Sequence, residues 1–216
     1  MSGGPFDAVF QIAGRVIGST MGAPYAQFRA TNGAQPTSGG NRIATLACWI
    51  TADMEGKARL PEAFAKPIVY GQFDPTLAQV GDYLIGQRGT FFVASINPPD
   101  PMQLVRCNRT ASFFDTTKFT AKGLNTGYGG DIEGSETQLA AGWPCWMERG
   151  TKGDRGDANL PGDAKLPWFN VIVPNIPGVI LRNNLILLSD QGFRHIISSV
   201  EQSPLGQRLV VKLATT

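Results

Sequence analysis

Two stretches of this chain share one plan, and that repetition constrains the fold more than any local signal does. Residues 81–112 read GDYLIGQRGTFFVASINPPDPMQLVRCNRTAS, and residues 183–215 read NNLILLSDQGFRHIISSVEQSPLGQRLVVKLAT. Tyr83-Leu84-Ile85 align with Leu185-Ile186-Leu187, and Gly89 aligns with Gly192 one insertion later. Phe92-Val93-Ala94-Ser95-Ile96 then answer residues 195–199 or, with one more gap, residues 196–200. Upstream, Ile68-Val69-Tyr70 answer residues 172–174, and Cys48-Trp49 is echoed by Cys145-Trp146. Each stretch is a pair of turn-linked strands followed by a third. The expectation is one small β module used twice.

A chain of 216 residues holds one large domain or two small ones. With 26 Gly and 15 Pro and only 17% charged residues, it reads as rich in loops and strands. So few charges suit a surface that a partner covers. The net charge of +2, without a basic run, gives no case for a dedicated nucleic-acid binder. Cys48, Cys107 and Cys145 are odd in number, with no CxxC and no neighbouring His, so buried free thiols are expected in place of disulfides or zinc. The N-terminus has no basic region or long apolar core, so no signal peptide is expected. No apolar run approaches the ~20 residues of a membrane span.

Along the chain, residues 1–42 read as an N-terminal helix and docking arm. Phe6, Val9, Phe10, Ala13, Val16 and Ile17 recur at helical spacing over residues 6–19. Such a short helix is not stable alone, so its apolar face is expected to dock on the β body or a neighbouring subunit. Residues 43–114 read as the first β module, with Leu46, Cys48 and Ile50 on one strand face and Ala47, Trp49 and Thr51 on the other. Residues 115–142, rich in Gly and Thr without a period, read as an extended connection or arm. Residues 143–216 read as the second β module, with residues 150–165 an exposed polar loop. The fold class expected is mainly β: two tandem small antiparallel barrels or sandwiches behind one short helix.

No constellation for catalysis, a cofactor or a metal stands out. The only histidine, His195, lies in a strand between Arg194 and Ile196 and is expected to face solvent or an interface. Ser189 and Asp190 lack a nucleophile-elbow motif around them. The acidic residues scatter through loops, and Asp154, Asp157 and Asp163 lack the spacing of a calcium loop. Asn108-Arg109-Thr110 and Arg155-Gly156-Asp157 match a glycosylation sequon and an integrin tripeptide by chance. Trp49, Trp143, Trp146 and Trp168 sit in strand-like segments, where core or subunit packing is expected before sugar or base stacking.

Residues 81–113 resemble a group of tailed-bacteriophage structural proteins. The similarity lies in the GDYL start (Gly81 to Leu84), the turn at Gly89, the aromatic-Val-Ala strand (Phe91 to Ala94), the proline-rich kink (Asn97 to Pro101) and the strand from Val105 to Thr110. Asp190-Gln191-Gly192-Phe193-Arg194 and Gly206-Gln207-Arg208-Leu209 are similar to small head–tail joining proteins, as are the N-terminal helix and Gly22-Ala23-Pro24-Tyr25 behind it. The resemblance implies a non-enzymatic virion protein of the head–tail neck (collar, stopper or connector), assembled in the host cytoplasm. It implies a self-ring of six-fold or twelve-fold symmetry between portal or adaptor and tail proteins, with non-specific DNA in the lumen and no membrane. It carries over no catalytic residue. Residues 6–19, 115–142 and 150–165 are the segments expected at subunit contacts. A tail terminator, tube or baseplate component is the alternative within this class. A receptor- or carbohydrate-binding β module is the alternative outside it.

Overall fold

The computed structural model describes residues 5–51, 67–97, 101–118, 131–150 and 167–214. A helix, α1 (Pro5–Met21), precedes twelve strands. The first six are β1 (Ala23–Phe28), β2 (Arg42–Thr51), β3 (Ile68–Gln72), β4 (Tyr83–Gly86), β5 (Gly89–Ser95) and β6 (Met102–Cys107). The second six are β7 (Arg109–Lys118), β8 (Asp131–Arg149), β9 (Trp168–Val173), β10 (Ile186–Ser189), β11 (Arg194–Ser203) and β12 (Gly206–Leu213). Each set closes into an antiparallel barrel, in the orders β1-β2-β3-β6-β5-β4 and β7-β8-β9-β12-β11-β10, so the tandem β-barrel expectation holds.

The two orders are the same topology, and the ladders show it residue by residue. Leu84 pairs with Gln27 and Phe91, while Leu187 pairs with Phe113 and His195. Trp49 pairs with Gln72, as Trp146 pairs with Ile172. The bulge between Val93 and Ser95 recurs between Ile197 and Ser199. Gly81 and Asn184, both at positive φ, open the two hairpins, each donating its N–H to a β5 or β11 carbonyl (Val93 and Ile197). The two barrels therefore share one topology, but their structural correspondence differs by one residue from the sequence alignment: Tyr83-Leu84-Ile85 correspond to Ile186-Leu187-Leu188. A one-residue slip in a strand exchanges its two faces. The extra residue lies in the turn, where Gln87-Arg88 in the first barrel faces Asp190-Gln191-Gly192 in the second. Downstream of it Phe92 corresponds to Ile196, the gapped alternative. In β9, Val69 corresponds to Phe169, four positions before the aligned residue.

The boundaries also shift. The first module begins at β1, not at residue 43, and ends at Cys107, not at 114. Residues 115–118 and 131–142 are not a connection: they belong to β7 and β8 of the second barrel. Their alternation is hidden because the β7–β8 register shifts three times and Gly142 takes positive φ. Beyond Phe114 the two strands pair only with each other among the described residues, so the hairpin runs past the barrel as a two-stranded ribbon. β1 escapes a sequence reading because Pro24 interrupts it. The structure accommodates Pro24 because β4 pairs only with residues 26–28, leaving it on a one-sided stretch.

Tyr25, Leu46, Cys48, Phe91, Val93 and Leu104 line the interior of the first barrel. The opposite faces of the same strands carry Phe28, Ile68, Tyr83, Phe92 and Val105, and these join the core of the second barrel in one apolar cluster with Phe113, Trp143, Val171, Leu187, Ile197 and Leu209. One wall of the first barrel is thus apolar on both faces, which is why Phe91-Phe92-Val93-Ala94 and Leu104-Val105 read as unbroken apolar runs. Tyr83 is fully buried in that junction. Its hydroxyl donates to the Pro144 carbonyl at 2.7 Å, and its ring meets Phe92 and Trp143 edge to face at 6.1 and 6.0 Å. Asn108 is the single residue between the barrels. Its N–H donates to Cys145 O, and its side-chain amide both donates to Met147 O (3.0 Å) and accepts from Met147 N–H (2.8 Å).

The Tyr83→Phe variant is expected to lose about 1 kcal/mol and Tyr83→Ala about 3–5 kcal/mol of unfolding free energy. In urea titrations followed separately in each barrel by residue-resolved NMR, both barrels should shift together. A shift confined to the first barrel would show that the junction does not couple them.

Candidate functional site

His195, Ser189 and Asp190 do not meet as a catalytic group. His195 is 2% exposed. It pairs across the ladder with Leu187 and Leu213, on the inward face of the second barrel, and its ring lies edge to face with Phe169 at 5.2 Å. The expectation that it faces solvent is therefore corrected. The strand alternates, and Arg194 and Ile196 on either side take the outward face, leaving His195 inside. Its Nδ1 has no hydrogen-bond partner, and burial lowers its pKa because the charged imidazolium loses water. Ser189 Oγ donates to the Phe193 carbonyl at 3.3 Å and Asp190 pairs with Arg109 at 4.0 Å, so neither is bonded to His195. Among the described residues no group of three His, Cys, Asp or Glu is placed to hold a metal. Asp154, Asp157, Asp163 and the Arg155-Gly156-Asp157 tripeptide lie outside the described residues.

The three cysteines are free, as expected. Burial pushes the Cys48 and Cys145 thiols up to about 12, so both are neutral packing groups, not nucleophiles. The tryptophans pack: Trp143 is 1% exposed and donates Nε1–H to Gly33 O at 3.0 Å, and Trp168 covers Gly150, leaving no space there for a Cβ. Asn108, the sequon asparagine, is committed to the β8 backbone.

One buried polar group does stand out. Asp82, 1% exposed, accepts from Arg29 Nε and Nη2 (both 2.7 Å), from Gln27 Nε2 (2.8 Å) and from the Gln79 N–H (2.8 Å). Gln27 also donates to Leu77 O at 2.9 Å. This bidentate pair satisfies the carboxylate and ties the loop before β4 to β1; the same bond raises the Arg29 pKa. The second barrel has Phe113 and Leu185 at the corresponding places, so the network is a local polar replacement of core with no ligand geometry of its own.

The surface is more telling. α1 approaches the first barrel through glycines. A Cβ on Gly14 would lie 2.8 Å from Phe73 O, and one on Gly18 would lie 2.9 Å from both Ala47 O and Gln72 O. The helix backbone therefore rests on strand backbone, and the arrangement fixes which helix face looks outward. Val9, Ile12 and Val16, three and four residues apart, are 60%, 62% and 54% exposed on the face away from the glycines. The apolar face expected to dock on the β body is thus split: Ala13 and Ile17 are half-buried, while Val9, Ile12 and Val16 face solvent. The side chains of Phe6 and Phe10 lie outside the described ones, as do residues 151–165 of the third segment expected at contacts, 150–165. The glycine spacing is visible in the sequence, but the apolar periodicity that surrounds it outweighs it in any sequence reading.

These features define a tandem-barrel protein with an apolar helix face presented to its surroundings. Compared with known proteins, the chain matches no family model, no curated protein and no solved structure. No helix of the described residues is long and apolar enough to cross a membrane.

Gly18→Val is expected to lift α1 from the first barrel, exposing the Arg15 peptide bond to trypsin at rates at least about tenfold above the parent while the barrel amides keep their NMR shifts. Unchanged cleavage would refute backbone-to-backbone docking. For His195, whose folded pKa is lowered, stability is complete above the ordinary value of 6.5 and declines as pH falls below it. The urea midpoint should therefore drop between pH 7.5 and 5.5, and His195→Phe should flatten that slope.

Proposed function

We propose that this chain is a structural virion protein of a tailed phage, assembling as a ring at the head–tail neck to join portal-side and tail-side proteins, and acting by recognition without catalysis. The observation that carries the reading is the exposed stripe Val9, Ile12 and Val16 on a helix already anchored by its opposite face. An anchored helix with an apolar outer face is a surface for another chain. Closure of both sheets supports a neck ring over a tail tube, because closed barrels offer no strand edges for end-to-end sheet extension. Among the described residues the β7–β8 ribbon has unpaired edges, and in this reading it serves as a second contact arm. The resemblance of residues 81–113 to phage structural proteins supplies the virion setting.

Two measurements test this. Mass spectrometry of purified particles should find about six or twelve copies per portal, as a closed ring requires; hundreds of copies, or absence from the particle, would end the neck assignment. For the isolated chain, Ile12→Ser with Val16→Ser should shift sedimentation toward the monomer without lowering the melting temperature. If association persists in that variant, α1 is not the contact.

A further inference from the structure

The two barrels share a topology, but their mouths are built differently. At one end of the first barrel Ile50, Val69, Phe91, Arg88 and Arg106 surround a cavity of about 380 Å3. Phe91 and Arg106 are direct cross-strand partners, so Arg106 shares the inward face with Phe91. Arg88, from the tight β4–β5 turn, reaches over the rim and donates Nη1–H to Ile50 O at 2.8 Å. Both guanidinium groups are on exposed residues, and among the described residues Arg106 has no acidic partner. In the second barrel the positions of Val69, Phe91 and Arg106 are held by Phe169, His195 and Leu213, and the first two rings meet edge to face at 5.2 Å. The turn there carries Asp190-Gln191-Gly192 in place of Gln87-Arg88. Compared with the second barrel, the first mouth has Val69 in place of Phe169 and two cations, Arg88 and Arg106, at its rim.

From this we infer that the first barrel's mouth binds an acidic peptide segment of a partner chain, with a carboxylate held by Arg88 and Arg106 beside the half-buried Val69. The volume falls in the usual range for a ligand cavity and exceeds what one side chain needs. Two forked guanidiniums match a carboxylate in geometry as well as charge. A nucleic acid is the poorer fit, since the chain's net charge is only +2 and two arginines neutralise too few phosphates for the counterion release that drives such binding. The inference is independent of the neck assignment, for it rests on the divergence of two equivalent barrel ends.

The test is a titration of the full 15N-labelled chain with the blocked peptide Ac-Gly-Phe-Glu-Gly-NH2, with the Gln-containing peptide as the neutral control. The expected result is saturable shifts of the Ile50, Val69, Phe91 and Arg106 amides, weakened at least about tenfold for the neutral peptide and for Arg106→Leu. Leucine at this place is the second barrel's own solution, which favours folding of that variant. Arg88→Gln is the second variant, and it should weaken binding by a similar factor. Absence of shifts, equal affinity for both peptides, or unaltered affinity in both arginine variants would overturn the proposal. So would displacement of the peptide by a short single-stranded oligothymidylate at equal concentration, which would make the mouth a phosphate site instead.

Discussion

The wall of the first barrel that is apolar on both faces holds the molecule together. A β-strand offers two faces, and a free-standing barrel needs only the inner one to be apolar. Here Leu84, Phe91, Val93 and Leu104 serve one core, and Tyr83, Phe92, Val105 and Ile68 serve the other. Removing the second barrel would put the latter set in water, a contiguous patch of the kind that drives association. The second barrel depends on the first in the same way, because Trp143 needs both the Tyr83 ring and the Gly33 carbonyl for its packing and its indole hydrogen bond.

The repeat that the sequence displays is the record of one barrel plan used twice, and the two copies diverge where this junction demands it. Phe92 corresponds to Ile196; Phe92 is buried in the junction, while Ile196 is 38% exposed. Sequence comparison finds the two hairpins because glycine turns and apolar triplets survive such divergence. It slips by one place because LIL and YLI match about equally well in either register, and only the ladder hydrogen bonds distinguish them. Strand order, closure and the assignment of residues 109–118 to the second barrel are non-local properties. They depend on which distant strand a given edge meets, and no window of sequence contains that information.

The surface features were legible unevenly. The helix was evident from its spacing, yet the face it docks with was not, since three glycines four residues apart (Gly14, Gly18 and Gly22) leave no hydrophobic mark. His195 reads as exposed from its neighbours, because alternation gives a residue's face only once one strand position is fixed. Arg88 and Arg106 are far apart in sequence and unremarkable there. They become a pair only when the β4–β5 turn folds over the rim that β6 helps to build.

Asn108 joins the two barrels with no spare residue, and its side chain continues the hydrogen-bond pattern of β8 where the backbone changes barrel. Bending at that point would break three hydrogen bonds and pull Tyr83 out of its socket together. These contacts oppose bending between the barrels. A load on one barrel would pass to the other through these bonds, and among the described residues the elements left outside both barrels are α1 and the distal β7–β8 ribbon.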